Sequence, residues 1–454
     1  MRKNEIDMTS GNLFKKILIF AVPLIFSGIL QLLYNAADLI VCGIFGSNNA
    51  TAAISSTNSL INLIVTLFMG LSVGANVLMA RAFGANSKEK GQRIVYTAMI
   101  FSVIVGIVIG IFGFSLSHYF LELMGSPDDT IELSTTYLRI YFIGLPFSMI
   151  YNFGASILRA TGDTKRPFIY LSLAGLFNVL FNLLFVIVFH LDVAGVALAT
   201  IIAQAISAVL VLRCMFKSTG FFEFKLKDLK MFKKEALEIA KVGLPAGLQG
   251  VIFSLSNVLI QSSINGLGTD VMGGNGAAGS LEGFIYVAMN AVAQACVAFV
   301  SANYGAKNKD NIKKSIIYSA TIVVIMNFVV GALVLLLQDQ LLSLYVHTDA
   351  ALNAGKERLQ IITVTYFLCG LMDTFAYALR GMGKSILPTI VSLVGACGLR
   401  ILWIMFVFPI DIFHNIQGLA ISYPLSWAIT ASVHLIFVFI IFKKIKFIKL
   451  EYSV

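Results

Sequence analysis

The sequence predicts an all-α membrane protein with about twelve transmembrane helices, on the evidence of its composition and of its separate apolar stretches. Of 454 residues, 58% are hydrophobic and only 12% are charged, whereas a soluble globular chain carries about 25% charged residues. The apolar residues form stretches such as 94–114 and 316–337, each close to the roughly 20 residues that cross a bilayer as a helix. An ordinary soluble protein is therefore excluded.

Twelve candidate spans follow from these stretches. Unbroken apolar runs of this length satisfy their backbone hydrogen bonds in lipid only as helices. The alternating segments of about ten residues that are typical of a membrane barrel do not occur. The candidate spans are 15–45, 51–80, 93–117, 133–158, 167–190, 194–216, 238–266, 278–303, 314–337, 359–379, 386–409 and 417–442.

The basic residues mark one side of the membrane, because they concentrate in every second loop. Under the positive-inside rule these loops and both termini are cytoplasmic. The net charge of +10 therefore reflects orientation, and we expect no nucleic-acid partner. The stretch 338–356, in which Lys356 lies close to Arg358, departs from the pattern. The basic groups are Lys15 and Lys16, 81–93, Lys165 and Arg166, 217–234, 307–314, Lys384 and 443–449.

The sequence predicts no metal centre and no cofactor. Its five cysteines are scattered through apolar segments, without the CxxC pattern or Cys/His cluster of a metal site. The glycine-rich segment 273–276 lacks the strand–loop–helix context of a phosphate-binding loop. Any bound ion is therefore expected to be a transported one.

An internal repeat divides the sequence into two halves. Because the repeat spans six helices, both copies enter the membrane in the same direction, as in transporters built from parallel repeats. We predict an N-terminal six-helix bundle over 1–216 and a C-terminal six-helix bundle over 236–454. The landmarks, 221 or 222 positions apart, are Phe83-Gly84-Ala85 and Tyr304-Gly305-Ala306, then Arg159, Gly162 and Pro167 with Arg380, Gly383 and Pro388, and finally Pro23 with Pro245.

A basic connector over 217–235 joins the two halves on the predicted cytoplasmic side. Its sequence, KSTGFFEFKLKDLKMFKKE, is polar and partly amphipathic. Such a segment lies against anionic lipid headgroups or forms a plain solvated linker, and the sequence leaves both readings open.

Several motifs are distributed over essentially the whole chain. They are QLLYNAADLIVCGIFG in helix 1, FGANSKEKGQR, LRATGDTKRP and their second-half counterparts YGAKNKDNIKK and LRGMGKSILP. These motifs resemble those of the multidrug and toxic compound extrusion (MATE) family. The resemblance implies two pseudo-symmetric six-helix bundles that face each other in a V. It further implies a multi-pass protein of the bacterial inner (cytoplasmic) membrane, which we expect to act as a monomer.

Three pairs of polar residues fall within helices of the first half. A spacing of four places both side chains of a pair on one helix face. An ionisable residue in a membrane helix costs about 2.5–3.5 kcal/mol on insertion scales, so it is a functional hypothesis by default. If the three faces meet, neutral oxygens and hydrogen-bond donors surround one carboxylate, which makes a small cation site. The pairs are Tyr34 and Asp38 on helix 1, Asn178 and Asn182 on helix 5, and Thr200 and Gln204 on helix 6.

One branch of the MATE family has this pattern, with an Asn and an Asp four apart on helix 5. The resemblance implies that Asp38 exchanges the coupling ion, either a proton or sodium. Asn182 stands where the second Asp of that branch would be, which leaves one carboxylate and disfavours a tightly bound sodium ion without excluding it. Another branch of the family uses a Glu on helix 7. Residues 244–267 of this chain carry no acidic residue, so we do not expect that chemistry at helix 7.

The second half has its own ionisable residues within predicted spans. Glu282 and Asp373 are candidates for a second coupling or substrate site. Arg400 is either a further ligand or a structural counter-ion to one of these acids. Position 260, which is 222 after Asp38, is Ile260, so the second half has no copy of the Asp38 carboxylate.

The resemblance implies an antiporter that exports organic cations, drugs or toxic metabolites in exchange for protons or sodium. Its substrates are expected to be cationic, amphipathic small molecules, for which the 36 Phe and 15 Met residues offer adaptable apolar surface. A flippase for lipid-linked oligosaccharides is the alternative, which inward-facing Arg139 and Arg400 would favour. A membrane-embedded transferase is a second alternative, but the five histidines are dispersed, so we predict that the chain is not an enzyme.

The predicted orientation is tested by labelling single cysteines on intact cells. In a background with the native cysteines replaced, we expect an impermeant maleimide to label Asp270→Cys and to miss Lys227→Cys, because only the loop with Asp270 is predicted to face outward. The reverse labelling pattern would overturn the orientation and the direction of transport.

Overall fold

The structure is a computed structural model that describes residues 5–47 and 49–445. These residues contain no strand, and the predicted all-α fold class is confirmed. Among them, eleven helices are long and apolar enough to cross a membrane, or twelve if one bent pair is a single span. The helices are α1 (Leu13–Phe45), α2 (Ala50–Gly84), α3 (Lys88–Leu123), α4 (Ile131–Ala160), α5 (Lys165–Leu183), α6 (Asp192–Phe216), α7 (Lys233–Asn265), α8 (Thr269–Gly305), α9 (Lys309–Leu336), α10 (Gln338–Ser343), α11 (Asp349–Thr365), α12 (Phe367–Gly381), α13 (Ile386–Ser392), α14 (Leu399–Phe406) and α15 (Ile416–Lys444).

The bent pair corrects the predicted start of the tenth span at 359. α11 begins at Asp349, and α12 follows it after a bend of 44°. The Thr348 side chain caps α11 by accepting a hydrogen bond from the backbone N–H of Ala351, which stabilises a helix start in polar sequence. Arg358 therefore lies well inside a helix. In the sequence, its polar neighbours made residues 338–356 look like a loop that ends just before Arg358.

The backbone carries the internal repeat. Four residues in the left-handed region form two pairs 221 positions apart: Asn86 (φ 53°) with Lys307 (φ 56°), and Gly162 (φ 90°) with Gly383 (φ 92°). Glycine adopts this region without steric cost, which accounts for the glycine of the repeated turn. At Gly162, an added Cβ would also lie 2.2 Å from the carbonyl oxygen of Ile6.

The chain forms two compact units whose boundaries differ from the predicted ones. The first unit contains Pro23–Gly247 and the segment that ends at Ile6, and the second contains Asp7–Val22 and the chain from Leu248 onward. The predicted division at 216 and 236 stays a prediction, and residues 446–454 of the predicted C-terminal bundle lie outside the described part. In the first unit α4 packs on α2, α3 and α6, and in the second α8 packs on α9, α11 and α12.

Glycine pairs explain why the beginning of α7 belongs to the first unit. A Cβ added at Gly70 of α2 would lie 2.2 Å from the backbone nitrogen of Gly247, and one added at Gly243 would lie 2.5 Å from the carbonyl oxygen of Leu71. The spacing Gly-x-x-x-Gly occurs on both helices, at 70–74 and 243–247. Small residues at this spacing let two membrane helices approach backbone to backbone.

The connector packs on the first unit. Phe222 and Phe224 are 1% and 5% exposed, and the ring of Phe224 lies 5.7 Å from that of Tyr96 on α3. The backbone N–H of Phe232 donates to Thr97 Oγ1. These contacts do not fit a plain solvated linker, which was one of the two readings of the sequence.

Candidate cation site

The buried carboxylate of Asp38 is the centre of the candidate site. Asp38 on α1 is 9% exposed, and Asn182 Nδ2 on α5 donates a hydrogen bond to Asp38 Oδ1 at 2.5 Å. In the described ranges no basic side chain lies within 4.0 Å of this carboxylate. Arg139 is exposed, with its guanidinium 5.5 Å from the ring centroid of Phe114. Asp38 therefore has a neutral partner and no counter-ion.

The amide of Asn182 connects Asp38 to the other helices of the site. Asn182 Nδ2 also donates to Asn178 Oδ1 at 3.4 Å, and Asn178 Nδ2 donates to Thr200 Oγ1 on α6 at 3.3 Å. Asn182 Oδ1 is buried and has no hydrogen-bond partner among the described residues. The structure thus brings together Asp38, Asn178, Asn182 and Thr200, and it leaves one acceptor oxygen beside the carboxylate.

Tyr34 and Gln204 lie at the edge of this group, and neither donates a hydrogen bond to Asp38. The Tyr34 hydroxyl donates to the carbonyl oxygen of Ser172 at 3.3 Å, and its ring lies directly on Gly175, where an added Cβ would overlap the ring carbons. Gln204 Oε1 would lie 3.1 Å from a Cβ added at Gly144. These two side chains therefore contact the helices around the site.

Two tyrosines of α4 complete the surroundings and were missed in the sequence. Tyr137 and Tyr141 are 4% and 6% exposed, and both lie within electrostatic range of Asp38. Their spacing of four is the same signal that singled out Tyr34 and Asp38. Aromatic residues are common in helix cores, so this spacing alone did not separate them from packing residues.

The site presents only oxygen atoms and amide donors to an ion. Carboxylate, amide and hydroxyl oxygens are the ligands of hard cations, and a carboxylate also takes up a proton. The described residues contain no group of three or more His, Cys, Asp or Glu that could hold a metal ion. The arrangement is suited to a small transported cation.

In the second unit, Glu282 is neutralised by an arginine that the sequence pattern had assigned to the edge of a loop. Arg358 donates from Nε and Nη2 to the two carboxylate oxygens of Glu282, both at 2.8 Å. Its Nη1 donates to Asn275 Oδ1 at 2.8 Å. Arg358 is therefore the counter-ion of Glu282, whereas Arg400 had been the predicted candidate.

Asp373 accepts its hydrogen bond from a neutral chain on α8. The Tyr286 hydroxyl donates to Asp373 Oδ2 at 3.3 Å, and Asn290 Nδ2 donates to that hydroxyl at 3.4 Å. Gln294 Nε2 donates to Asn290 Oδ1 at 2.8 Å. A ladder of polar side chains thus leads along α8 to the carboxylate, which is 8% exposed.

Arg400 pairs with neither acid. Its Nε donates to Ser426 Oγ at 2.9 Å, and its guanidinium lies 4.3 Å from the ring centroid of Tyr423 and 5.4 Å from that of Trp427. The reading of Arg400 as a counter-ion to Glu282 or Asp373 is therefore wrong.

Helices that cross a membrane, a duplicated backbone and a membrane carboxylate without a counter-ion define a membrane transporter. The MatE family model matches residues 23–184 and again residues 245–405, one match in each half. The chain belongs to the MATE family, and it is a multi-pass transporter of small molecules across the lipid bilayer and not an enzyme. The double match confirms the internal repeat.

Relatives and solved structures agree with this membership. The chain is 26% identical over 430 residues to the probable multidrug resistance protein YoeA of Bacillus subtilis, and the aligned region covers 92% of each chain. It is 23% identical over 390 residues to the probable multidrug resistance protein NorM of Thermotoga maritima, covering 84% of this chain and 82% of that one. An outward-facing structure of a multidrug resistance MATE family transporter matches with a TM-score of 0.89 and 21% identity, over 98% of both chains.

The ion pair of the second unit predicts a stability effect. Glu282→Gln leaves the Arg358 charge buried without compensation, which costs about 3–5 kcal/mol, so we expect a marked fall in the unfolding midpoint of the purified protein in detergent. Glu357→Gln, on the neighbouring residue, is the control and should change stability by less than about 0.5 kcal/mol. The double variant Glu282→Gln/Arg358→Met should recover most of the loss. An unchanged midpoint for Glu282→Gln would contradict a structural role.

Proposed function

We propose that this transporter is an antiporter that exports amphipathic organic cations in exchange for protons, with Asp38 as the exchange site. The observation that carries the proposal is the Asp38–Asn182 hydrogen bond in a site without positive charge. A carboxylate inside a membrane protein is tolerated when it is protonated, bound to a cation or hydrogen-bonded. Asp38 has one neutral partner and no counter-ion within 4.0 Å in the described ranges, so its charge is available to a proton or another cation.

The amide of Asn182 suits both states of the carboxyl group. An amide has donors on its nitrogen and an acceptor oxygen. Nδ2 donates to the ionised carboxylate, as observed. After protonation, the new O–H of Asp38 needs an acceptor, and a rotation of the amide presents Oδ1, the oxygen that has no partner in this structure. One residue can thus stabilise the site before and after the proton arrives.

The same amide favours a proton over sodium as the coupling ion. Sodium must lose most of its hydration on entering a buried site, which negatively charged ligands compensate. Here Asp38 is the single carboxylate and Asn182 contributes no charge. A proton needs no coordination shell, so one carboxylate with one amphoteric neighbour is sufficient for it.

Substrate and proton compete for one negative charge in this mechanism. An organic cation is attracted by ionised Asp38, and protonation removes that attraction, so each releases the other in turn. The relatives YoeA and NorM are described as probable multidrug resistance proteins, which supports drugs or toxic compounds as substrates. Export into the outer medium further requires the proposed orientation, with both termini cytoplasmic in a bacterial inner membrane.

The first functional prediction concerns Asp38→Asn. This change keeps the size of the side chain and fixes it in a neutral form, so the protein should fold and insert normally while proton-driven export of a cationic dye from proteoliposomes falls at least about tenfold. Asp373→Asn is the matched control, a buried carboxylate of the second unit, and it should retain gradient-driven export. If Asp373→Asn abolished exchange and Asp38→Asn spared it, the coupling site would belong to the second unit.

A second prediction concerns the ion itself. Asn182→Asp places two carboxylates side by side, which creates the charge that sodium requires, so we expect export to acquire a dependence on a sodium gradient. The parent protein should respond to a proton gradient and not to sodium at constant pH. Transport is measured in proteoliposomes with each gradient imposed separately. A parent protein driven by sodium alone would contradict proton coupling.

A further inference from the structure

A second membrane charge without a counter-ion lies in the second unit, at Arg400. This side chain is 3% exposed, and its hydrogen bond within the described ranges is the one from Nε to Ser426 Oγ. No carboxylate of the described residues lies within 4.0 Å of the guanidinium. The terminal nitrogens Nη1 and Nη2 therefore have donors without a protein acceptor in this part of the chain.

Arg358 is a neutralised arginine in the same surroundings as Arg400. The two guanidiniums approach the same ring, since Arg358 lies 5.1 Å and Arg400 lies 4.3 Å from the centroid of Tyr423. Arg358 has its charge balanced by both oxygens of Glu282. Arg400 has only a hydroxyl and ring faces, which attract a cation without cancelling its charge.

The remaining buried acid of the second unit does not supply the missing charge. Asp373 is hydrogen-bonded by Tyr286, and Arg380 on the same helix donates to Gln249. The buried carboxylates of the second unit in the described ranges are Glu282 and Asp373, whereas the buried arginines are Arg358, Arg380 and Arg400. The buried side chains of this unit in the described ranges thus carry a formal excess of one positive charge, three arginines against two acids.

The backbone that precedes Arg400 packs closely on α15. A π-helical turn, Leu393–Gly398, directly precedes α14, and π-helical turns occur frequently at functional sites. Within that turn a Cβ at Gly395 would lie 2.2 Å from Thr430 Oγ1 of α15, so the turn is in close contact with the helix that carries Ser426. Two elements thus position the guanidinium and its neighbours.

We propose that Arg400, Ser426 and the rings of Tyr423 and Trp427 form a subsite for the anionic group of an amphipathic ligand, a sulfonate, carboxylate or phosphate on an apolar body. A guanidinium binds such oxyanions through two parallel N–H donors, and the aromatic rings offer surface to the apolar body. An organic cation is repelled there by the Arg400 guanidinium, since the charge of Arg358 is already balanced by Glu282. The subsite rests on the proposed transport function and extends its substrates to organic anions and zwitterions.

The experiment uses the two tryptophans of the chain as reporters. Trp403→Phe leaves Trp427, 5.4 Å from the Arg400 guanidinium, as the one emitting indole. The full-length protein is placed in phosphatidylcholine nanodiscs and titrated with octanesulfonate and, as a matched probe of opposite charge, octyltrimethylammonium. We expect saturable changes in emission with the sulfonate and at least tenfold weaker binding of the ammonium probe.

Variants separate charge from packing. Arg400→Gln should weaken octanesulfonate binding at least tenfold, and Ser426→Asp, which places an internal carboxylate against Nε, should fold and also abolish this binding. Arg139→Gln removes the same charge from the first unit and should bind like the parent. Unchanged sulfonate affinity in Arg400→Gln or in Ser426→Asp, or equal affinities for the two probes, would overturn the proposal.

Two further arms identify the source of the anion and isolate the proposed function. In phosphatidylglycerol nanodiscs, a shifted Trp427 emission and loss of sulfonate binding would assign the subsite to a lipid headgroup, whereas unchanged binding would assign it to a free organic anion. The second arm measures octanesulfonate binding and proton-driven export separately on the parent protein, and the binding measurement needs no gradient. If proton-driven export is not observed, the octanesulfonate binding measured at Arg400 still tests the anion subsite by itself.

Discussion

In a bilayer every polar group has to find its partner within the protein, and this constraint determines most of the structure. It requires helices, because they satisfy their own backbone, and it acts on hydroxyl side chains as well. Ser27, for example, donates to the carbonyl oxygen of Pro23 at 2.8 Å, one turn from a residue that lacks an N–H. Charged groups meet the same constraint at a higher cost, so each buried charge either has a partner or indicates a ligand.

Three arrangements of charge follow from this. Glu282 and Arg358 compensate each other completely with two hydrogen bonds, and such a pair has no need of a ligand. Asp38 is bonded to an amide, and Arg400 to a hydroxyl. Neutral partners leave these charges in place, and we place ion exchange at the negative charge of Asp38 and anion recognition at the positive charge of Arg400.

Much of the fold could be predicted from the sequence, because it depends on local patterns. The length of the apolar stretches located the spans, and the spacing of four residues between polar side chains located the helix faces that meet at Asp38. The pairing of Arg358 could not be predicted in this way, because hydropathy cannot distinguish a polar helix start from a loop. The sequence did not indicate the close approach of Gly70 to Gly247 either, because this contact joins helices that are far apart in sequence.

The two halves have kept their backbone and changed their charges. The left-handed residues recur 221 positions apart, at Gly162 and Gly383, because a turn fails without them whatever the protein transports. With the same shift, Arg358 corresponds to Tyr137 and Arg400 to Val179. Charges inside a membrane protein are expensive and are retained where they act. Their unequal distribution over a duplicated fold is what we expect if each half has its own chemistry, as we propose for proton exchange at Asp38 and anion recognition at Arg400.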